Sequence, residues 1–543
     1  MESSPGSTTA AVLAVSEVRA AEAVVAATII AIVGTCVLQL LLSPERRRRR
    51  GRLPPSPASL PVIGHLHHLL RPPVHRALHE LAGRVGPLMH LRLGSTPCVV
   101  ASSAGTASEL IRGHEASISD RPVTAVVRRL SYGAAGFGFA PYSAHWRFMK
   151  RLCMAELLGP RAVEQLRPIR RAGLASLLRA VLRRSSSPSP AVVYLSRELI
   201  RMSNTSMIRM VAGTAPGSEA EEDEAQELVK AVSELIGAVN VGDYIAACRG
   251  WDLQGLGRRA ADVHRRFDAL LEEMLRHKEA ARRSRPAAAA AAAPEEEVET
   301  KQDLLDILLD KAEDKAAEVN LTRDNIKAFI KAGPTRRRRW MEWMLAELLN
   351  HPAALRKVRE EIDRVVGGGR IAGEADLPSL PDLQAAYRET LRLHPAAPMA
   401  HRQSSAEMQL AGGGFTVPAG AAVLINVWAI GRDPAFWEEP LAFRPERFMP
   451  GGAAEGLDPR GQSFNFMPFG SGRRACPGMG LALWSVPAVL AALVQCFDWA
   501  PSTSSGDGDG KIDMEESDGL VCARNKPLLL RPTPRLHPFP PIV

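Results

Sequence analysis

The sequence lacks the cysteine spacings of a metal-binding domain or a disulfide-stapled protein. Its seven cysteines form no CxxC pair, their number is odd and their spacing is wide. We therefore expect no disulfide framework, and a reducing compartment fits the chain better than an oxidising one. The seven are Cys36, Cys98, Cys153, Cys248, Cys476, Cys496 and Cys522.

The signatures of nucleic-acid binding are also missing. The formal net charge is +9, but no zinc-finger spacing, RNA-binding signature or basic patch interleaved with aromatic residues accompanies it. We expect no nucleic-acid partner, and a basic surface that faces an acidic membrane or protein. The chain has no internal repeat, and its 543 residues, 46% of them hydrophobic, suffice for a large core.

One long apolar run lies near the N-terminus. Ala23 to Leu42 contains twenty residues and no formal charge, enough to span the roughly 30 Å of a bilayer core. Arg46 to Arg50 follow and should stay cytosolic, which leaves residues 1–22 as a short non-cytosolic N-terminus. A cleaved signal peptide fits less well, because no basic patch precedes the run and no small-residue cleavage site follows it. We predict a single transmembrane anchor at 23–42.

A basic and proline-rich hinge follows at residues 43–63. Its prolines, in "LPPSPASLPVIGHL", favour an extended and fairly stiff connector. From 64 to 543 the pattern is that of one globular body, mostly helical with a small β portion. Leu88 to Ser102 predicts a β-hairpin with Gly94 and Ser95 near the turn.

The stretch "FMPFGSGRRACPGMGLAL" carries the most chemical information. It places five residues in the pattern F-x-x-G-x-R-x-C-x-G: Phe469, Gly472, Arg474, Cys476 and Gly478. A cysteine thiolate can be the axial ligand of haem iron, and backbone N–H groups of a tight loop can keep it deprotonated. An inert cysteine in a glycine-rich turn is the alternative, and five matches at fixed spacing weigh against it.

Each remaining residue of the pattern has a physical reason. Gly472 and Gly478 let the loop approach a macrocycle without a side-chain clash. Arg474 can pair with a haem propionate, and Phe469 can pack beside the sulfur and limit water. After Pro477 the pattern becomes helical, so a helix N-terminus would face the anionic sulfur.

This stretch resembles the cysteine loop of the cytochromes P450, which are haem-thiolate monooxygenases. The segment "YRETLRLHP" adds Glu389 and Arg392 in E-x-x-R spacing, and "FRPERF" adds Arg447. The spacing alone is common, since Glu361 and Arg364 share it, but these positions and their order match the family. The resemblance implies a buried network of Glu389, Arg392 and Arg447 that holds the cysteine loop.

Three further residues match family partners of the haem propionates. Trp146 and Lys150, in "AHWRFMKRLC", are four apart and so lie on one helix face. Arg402, in "PMAHRQSS", would be another propionate partner by resemblance. A core tryptophan and two solvated cations are the alternative for these three.

Several blocks are similar to one plant branch of the family, which includes flavone synthase II, flavanone 2-hydroxylase and 2-hydroxyisoflavanone synthase. They include "SISDRP", "TRDNIKAFI" and "WMLAELLNHP". The resemblance implies a mainly α cytochrome P450 fold, haem (heme, iron protoporphyrin IX), and electrons from NADPH through a partner reductase. It also implies a cytosolic catalytic domain on the endoplasmic reticulum membrane and a flavanone substrate, oxidised to a flavone or 2-hydroxyflavanone.

The same resemblance places the pocket for an apolar aromatic substrate. Its walls would come from the central helix, Ser131 to Phe139, Ala396 to Met399, and the tail near Gly519 and Leu520. These segments are mostly apolar, as a planar aromatic substrate requires.

The family pattern breaks in the central helix. The family carries Ala/Gly-Gly-x-Asp/Glu-Thr-Thr/Ser there, and its acid and threonine relay protons to oxygen. Ala332 and Gly333 match, but Thr335 stands where the acid belongs and Arg336 where the threonine belongs. Thr335 is the nearest candidate for the catalytic hydroxyl, although Pro334 disturbs the backbone beside it.

We predict that a one-nucleotide shift of reading frame, as an artefact or a lesion, accounts for the break. The hypothetical string GGG ACC GAC ACG ACG GCG ACG ATG G encodes Gly-Thr-Asp-Thr-Thr-Ala-Thr-Met, which contains the family motif. Read from one nucleotide later, it encodes Gly-Pro-Thr-Arg-Arg-Arg-Arg-Trp, the sequence from Gly333 to Trp340. A compensating change near Met341 would restore the frame, because the residues from there on are again family-like.

Three interpretations remain open for the chain as a whole. It is an ordinary monooxygenase whose recorded sequence is wrong at 334–339, or a genuine haem-binding but catalytically impaired protein, such as a pseudogene product. The third interpretation is a haem-thiolate enzyme that rearranges peroxides and needs no threonine. Relatives of that third kind have a lengthened cysteine loop, whereas this loop has the ordinary length.

The predicted anchor is tested by deletion. Removing residues 1–42 should release the body from integral membrane extraction, because no other stretch of the sequence is predicted to span the bilayer. The measurement is extraction of membranes with alkaline carbonate. A truncated chain that still resists this extraction would contradict a single anchor at 23–42.

Overall fold

A computed structural model describes most of the globular body and little of the N-terminal region. The described residues are 34, 52–70, 73–185, 192–213, 219–284, 303–314, 316, 319–331, 337–502, 511–517, 519 and 521–542. The predicted anchor at 23–42 thus lies outside them except for Gly34, which is helical and exposed.

Helices dominate the described body. They are, in chain order, α1 Leu66–Leu69, α2 Val74–Val85, α3 Ala104–His114, α4 Ala125–Leu130, α5 Ala144–Cys153, α6 Pro160–Gln165, α7 Arg167–Ser185, α8 Leu195–Ala212, α9 Glu219–Gly237, α10 Val241–Tyr244, α11 Leu256–Arg283, α12 Leu304–Glu313, α13 Arg323–Lys331, α14 Arg337–Asn350, α15 Pro352–Val365, α16 Pro381–Leu393, α17 Val427–Ile430 and α18 Met479–Cys496. A π-helical turn follows α5 at Met154–Leu158, and short 3-10 turns include Pro445–Phe448 and Gly472–Arg474.

The β portion of the described residues consists of nine short strands. They are β1 Leu88–Leu93, β2 Thr96–Ala101, β3 Val193–Tyr194, β4 Met399–Gln403, β5 Met408–Leu410, β6 Phe415–Val417, β7 Ala422–Asn426, β8 Phe497–Pro501 and β9 Leu529–Pro534. The described strands form a four-stranded sheet in the order β1-β2-β7-β4, a three-stranded sheet β3-β9-β8 and the pair β5-β6. The hairpin predicted for Leu88 to Ser102 is confirmed, since β1 and β2 pair antiparallel with Leu93 opposite Thr96.

The second half of the proline-rich connector lies against these sheets. The Thr416 N–H donates to the Arg52 carbonyl at 2.7 Å, and the His90 N–H donates to the Pro55 carbonyl at 2.8 Å. The Arg52 guanidinium also lies over the ring of Phe415. Residues 52–55 therefore follow the surface of the body, which fits a connector of restricted geometry.

The main core lies where α14, α16 and α18 pack together. Helix α18 is apolar on all sides, which is typical of a helix surrounded by protein. Within the described residues it is the one helix long and apolar enough to cross a membrane, but 78% of it is buried inside the body. Its burial makes it a core helix, and it begins three residues after Cys476 as the sequence predicts.

Helix α16 begins at a favourable N-terminus. Pro381 occupies its first turn, where a missing N–H costs nothing. The buried carboxylate of Glu361 accepts the N–H groups of Asp382 at 2.9 Å and Leu383 at 3.1 Å. This cap satisfies two of the free donors at the helix start and complements the helix dipole. It fixes α16 and therefore the charged pair that α16 carries.

That pair forms a buried ion network. Glu389 and Arg392 are both inaccessible to solvent and make two hydrogen bonds of 2.7 Å. Arg447 donates its Nε to the same carboxylate at 3.1 Å. Arg392 also donates to the carbonyls of Gly431 and Pro440, each at 2.7 Å. The structure thus brings together the three residues of the expected network.

The network adjoins a stack of aromatic rings that leads toward the cysteine loop. The guanidinium of Arg392 lies 5.1 Å from the ring centroid of Trp437. Trp437 contacts Phe448 and Phe466, whose own centroids are 5.1 Å apart. Phe466 is three residues before Phe469, so the packing connects the ion network to the start of the loop.

Glu389→Gln tests how strongly the fold depends on this network. The amide cannot neutralise two buried guanidinium groups, and breaking a buried ion pair costs roughly 3–5 kcal/mol of unfolding free energy. The matched control is Glu446→Gln, because Glu446 pairs with Lys357 on the surface at 2.7 Å; an exposed pair contributes about 0–1 kcal/mol. Equal losses in denaturant unfolding of the two variants would contradict the central role of Glu389.

Candidate functional site

The cysteine loop is a tight turn closed by its own backbone. The Cys476 N–H donates to the Phe469 carbonyl at 2.9 Å, and the Ala475 N–H donates to the Gly472 carbonyl at 2.9 Å. Gly470 and Gly472 adopt φ values of +72° and +69°, which glycine tolerates at no steric cost. The loop therefore holds Cys476 at the end of a closed turn, directly before α18.

Cys476 differs from the other described cysteines in its exposure. It is the exposed one among them, whereas Cys98, Cys153, Cys496 and Cys522 are buried. Burial raises the pKa of the Cys98, Cys153 and Cys496 thiols to about 12. A thiol must lose its proton to bind a metal. These buried thiols are therefore poor candidates for an iron ligand.

Cys522 belongs to a different buried cluster. Its Sγ donates to Glu516 Oε1 at 3.4 Å, and burial raises its pKa well above the ordinary value. The Glu516 carboxylate also accepts hydrogen bonds from His75 at 2.9 Å, Arg76 at 2.8 Å and Trp428 at 2.8 Å. His394 lies close enough to complete a three-ligand group. Because the carboxylate is already occupied by these donors, the cluster is explained as a structural ion network.

Two arginines lie buried beside the cysteine loop. Arg474 donates to the carbonyls of Ser119 at 2.6 Å and Ala140 at 2.5 Å, and Arg402 donates to the carbonyl of His401 at 3.0 Å. Burial lowers the pKa of each guanidinium to about 10, and at Arg402 the like charge of Arg474 adds to this effect. Among the described residues, neither makes a hydrogen bond to a carboxylate. The loop therefore adjoins buried positive charge without a bonded counter-ion.

Helix α5 brings Trp146 and Lys150 to the same place. The guanidinium of Arg474 lies 4.6 Å from the centroid of the Trp146 ring, and Lys150 Nζ donates to the Arg473 carbonyl at 2.8 Å. The Trp146 Nε1–H donates to the Phe137 carbonyl at 2.8 Å. Both side chains thus lie beside the loop, and each uses a donor on a backbone carbonyl.

This donor set fits a haem with its two carboxylates. The exposed thiol of Cys476 offers an iron ligand, and the buried charges of Arg402 and Arg474 lack the anions that propionates would supply. Gly478 has no side chain, and even a Cβ built there would lie 3.9 Å from the Cys476 sulfur, which is an ordinary contact distance. The residues present are therefore compatible with the cofactor that the sequence pattern implies.

Phe469 is packed from the side of the central helix. Its ring meets the edge of Trp340 on α14, with centroids 4.9 Å apart. The Trp340 Nε1–H donates to the His394 carbonyl at 3.0 Å. Trp340 is thus a buried bridge between α14, the end of α16 and the cysteine loop.

Several segments that are expected to line a substrate pocket contact one another, two at a time. The Asn325 side chain on α13 donates to the Ala135 carbonyl at 3.1 Å, and the rings of Phe137 and Phe329 are 5.5 Å apart. At the other wall the Cys522 N–H donates to the Ala396 carbonyl at 3.2 Å. Residue 520 lies outside the described residues.

The oxygen-activation segment also lies outside the described residues, since 332–336, with Thr335, are not among them. The residue before this segment, Lys331, is largely buried. Its Nζ lies 4.7 Å from the Phe267 ring centroid and has no hydrogen-bond partner in the described part of the chain. Burial lowers its pKa to about 8.

Sequence reasoning missed one contact of the cysteine loop. The carboxylate of Glu115, just after α3, accepts the Arg473 N–H and lies 3.5 Å from the Arg473 Nε. No motif marks Glu115. A weak signal is its place two residues before "SISDRP", one of the family-like blocks.

Comparison with known proteins identifies the family. The model of the family described as Cytochrome P450 matches residues 54–530. The chain is 70% identical over 499 residues to cytochrome P450 93G1 of Oryza sativa subsp. japonica, covering 91% of this chain and 92% of the relative. It is 41% identical over 522 residues to 3,9-dihydroxypterocarpan 6A-monooxygenase of Glycine max, covering 95% and 99%.

A solved structure agrees with the fold. The chain is similar to a zebra fish cytochrome P450 determined with progesterone, with a TM-score of 0.69 and 25% identity, covering 85% of this chain and 100% of that one. The resemblance to plant cytochromes P450 and the mainly α fold are thereby confirmed. The chain belongs to the cytochrome P450 family, the haem-thiolate monooxygenases that receive electrons from NADPH through a reductase.

Proposed function

We propose that Cys476 is the axial ligand of the haem iron. The observation that carries this proposal is the exposed cysteine on a closed loop, next to two buried arginines that bond no carboxylate of the described residues. When bound, the haem supplies a thiolate-ligated iron at which O2 is activated for transfer of one oxygen atom. The N-terminus of α18, three residues on, favours the anionic sulfur.

The other site residues hold the cofactor and shape the loop. Arg474 and Arg402 would neutralise the haem carboxylates, and a propionate would take over a donor from Trp146 or Lys150. Phe469, whose carbonyl accepts the Cys476 N–H, limits water beside the sulfur. Gly472 and Gly478 keep the loop free of side chains. Glu389, Arg392 and Arg447 hold the polypeptide that leads into it.

The proposed substrate is a flavanone, oxidised to a flavone or a 2-hydroxyflavanone. Similarity to the monooxygenase of a pterocarpan, another fused aromatic oxygen heterocycle, supports this class. The aromatic contact of Phe137 with Phe329 supports a wall suited to a planar ring. For hydroxylation, a flavanone, O2, NADPH and a proton give the 2-hydroxyflavanone, water and NADP+.

The proposed organisation is a single-pass protein of the endoplasmic reticulum membrane. Residues 23–42 form the anchor, 43–63 the hinge and 64–543 the catalytic body, with 1–22 on the far side of the membrane. The partner reductase delivers its electrons on the cytosolic side, where the body lies.

Proton delivery is the weak step in the chain as written. By family resemblance, an acid and a hydroxyl of the central helix would move the protons in this reaction, and 334–339 offer only Thr335 and four arginines for that role. On the described flanks, the buried Nζ of Lys331 has no hydrogen-bond partner among the described residues, and Trp340 packs against Phe469. These observations favour the second function, a haem-binding protein that hydroxylates poorly.

Cys476→Ala tests the ligand assignment. The thiolate-type absorption band of the reduced carbon monoxide complex should disappear, because no other described cysteine combines exposure with this loop. Cys496→Ala is the control, since that thiol is buried at the end of α18. Persistence of the band in the Cys476 variant would overturn the assignment.

Restoring the family motif tests the function. A chain with Thr, Asp, Thr, Thr, Ala, Thr and Met at positions 334–340 should hydroxylate a flavanone roughly 10²-fold faster or more than the chain as written, because it regains general acid–base catalysis. The measurement is NADPH-dependent turnover of the flavanone, with the same reductase added to each of the two chains. Equal rates would contradict the damaged-motif account.

Thr335→Ala in the chain as written is the matched control. If Thr335 delivers protons one position early, this change lowers the residual rate. An unchanged residual rate removes Thr335 as a catalytic residue.

A further inference from the structure

Glu115 makes a direct contact with the turn that precedes Cys476. It is the residue after α3, and its side chain is about one-third exposed. Its Oε1 accepts the backbone N–H of Arg473, and its Oε2 lies 3.5 Å from the Nε of that residue. One carboxylate thus binds both the main chain and the side chain of the turn.

The main chain of Glu115 reaches the same turn by a second route. Ser119 Oγ donates to the Glu115 carbonyl at 2.6 Å. The carbonyl of Ser119 in turn accepts from Arg474 Nε at 2.6 Å. Consecutive residues of the cysteine loop, Arg473 and Arg474, are therefore both tied to the end of α3.

The glycine of the cysteine motif makes room for this carboxylate. Gly472 has φ +69°, and a Cβ built on it would lie 2.2 Å from Glu115 Oε1. A side chain at 472 would therefore push Glu115 away from the turn. Gly472 has this role in addition to clearance of a macrocycle.

The carboxylate also belongs to the charge arrangement of the loop. Glu115 lines a small cavity together with Arg402, Arg473 and Arg474. Three guanidinium groups face a single carboxylate there, so the cavity keeps a net positive charge that suits two further carboxylates. Glu115 pairs with Arg473, so Arg402 and Arg474 remain to bind the carboxylates of the cofactor.

We propose that Glu115 is a positioning residue of the haem-thiolate centre: its carboxylate holds the Gly472–Arg474 turn against α3 and thereby fixes Arg474 and the sulfur of Cys476. The inference rests on the proposed haem site but not on any substrate. The essential interaction is the hydrogen bond from the Arg473 N–H, rather than the negative charge. A glutamine, whose amide oxygen can accept the same N–H, should preserve it.

The test compares variants of the full chain reconstituted with haem. Glu115→Ala should lose haem to a haem-scavenging protein roughly tenfold faster or more, in line with loss of a hydrogen bond to a charged group, and should lose most of the thiolate-type band. Glu115→Gln should keep the band. Glu109→Ala is the matched control, because Glu109 lies on the same helix and accepts the Gly412 N–H at 2.7 Å, away from the loop.

Each outcome decides the proposal. Haem retention and band of Glu115→Ala equal to those of Glu109→Ala would overturn it, and so would loss of the band in a folded Glu115→Gln. If far-UV circular dichroism shows that Glu115→Ala does not fold, Glu115→Asp replaces it, since the shorter side chain withdraws the carboxylate from Arg473. Absence of flavanone turnover in all the variants and in the parent chain, with the band intact, would bear on the proposed oxidation of a flavanone and not on Glu115.

Discussion

The structure depends first on one buried carboxylate. Glu389 is inaccessible to solvent and lies between two guanidinium groups, at 2.7 Å from Arg392 and 3.1 Å from Arg447. Because an unpaired charge in the interior is very costly, the three residues fix each other and the chain segments that carry them. Arg392 adds hydrogen bonds to carbonyls of the segment 431–442. The aromatic stack from Trp437 to Phe466 then conveys this fixed geometry to the cysteine loop.

A second electrostatic constraint acts at the cysteine loop, where the buried groups are positively charged. Arg402 and Arg474 are buried and bond no carboxylate in the part of the chain that the structure describes, and burial lowers the pKa of both. Glu115 pairs directly with Arg473. The buried charges around Glu389 are paired with one another, whereas those beside Cys476 are not all paired. An anionic cofactor would supply the negative charge that pairs with them.

The sequence predicts those parts of the site that depend on periodicity and fixed spacing. The β1–β2 hairpin follows from alternating apolar residues around Gly94, and α18 from the apolar run after Pro477. The E-x-x-R spacing alone did not separate Glu389 from Glu361. The structure separates them, since Glu361 caps α16. Contacts with backbone atoms were not predictable, because a main-chain partner leaves no pattern in the identity of side chains. The Trp146 Nε1–H donates to the Phe137 carbonyl, and the Glu115 carboxylate accepts the Arg473 N–H.

The central helix is where local chemistry and the rest of the fold disagree. From Met341 onward the sequence resembles the family and α14 packs into the main core, whereas the sequence at 334–339 has a proline and four arginines where the family carries its oxygen-activation motif. The most direct test of the central claim is nucleotide sequencing of gene and transcript across Lys331 to Met341. The account predicts codons for Thr-Asp-Thr directly after Gly333 in the functional transcript. Matching gene and transcript reads that encode Pro334 to Arg339 would contradict it.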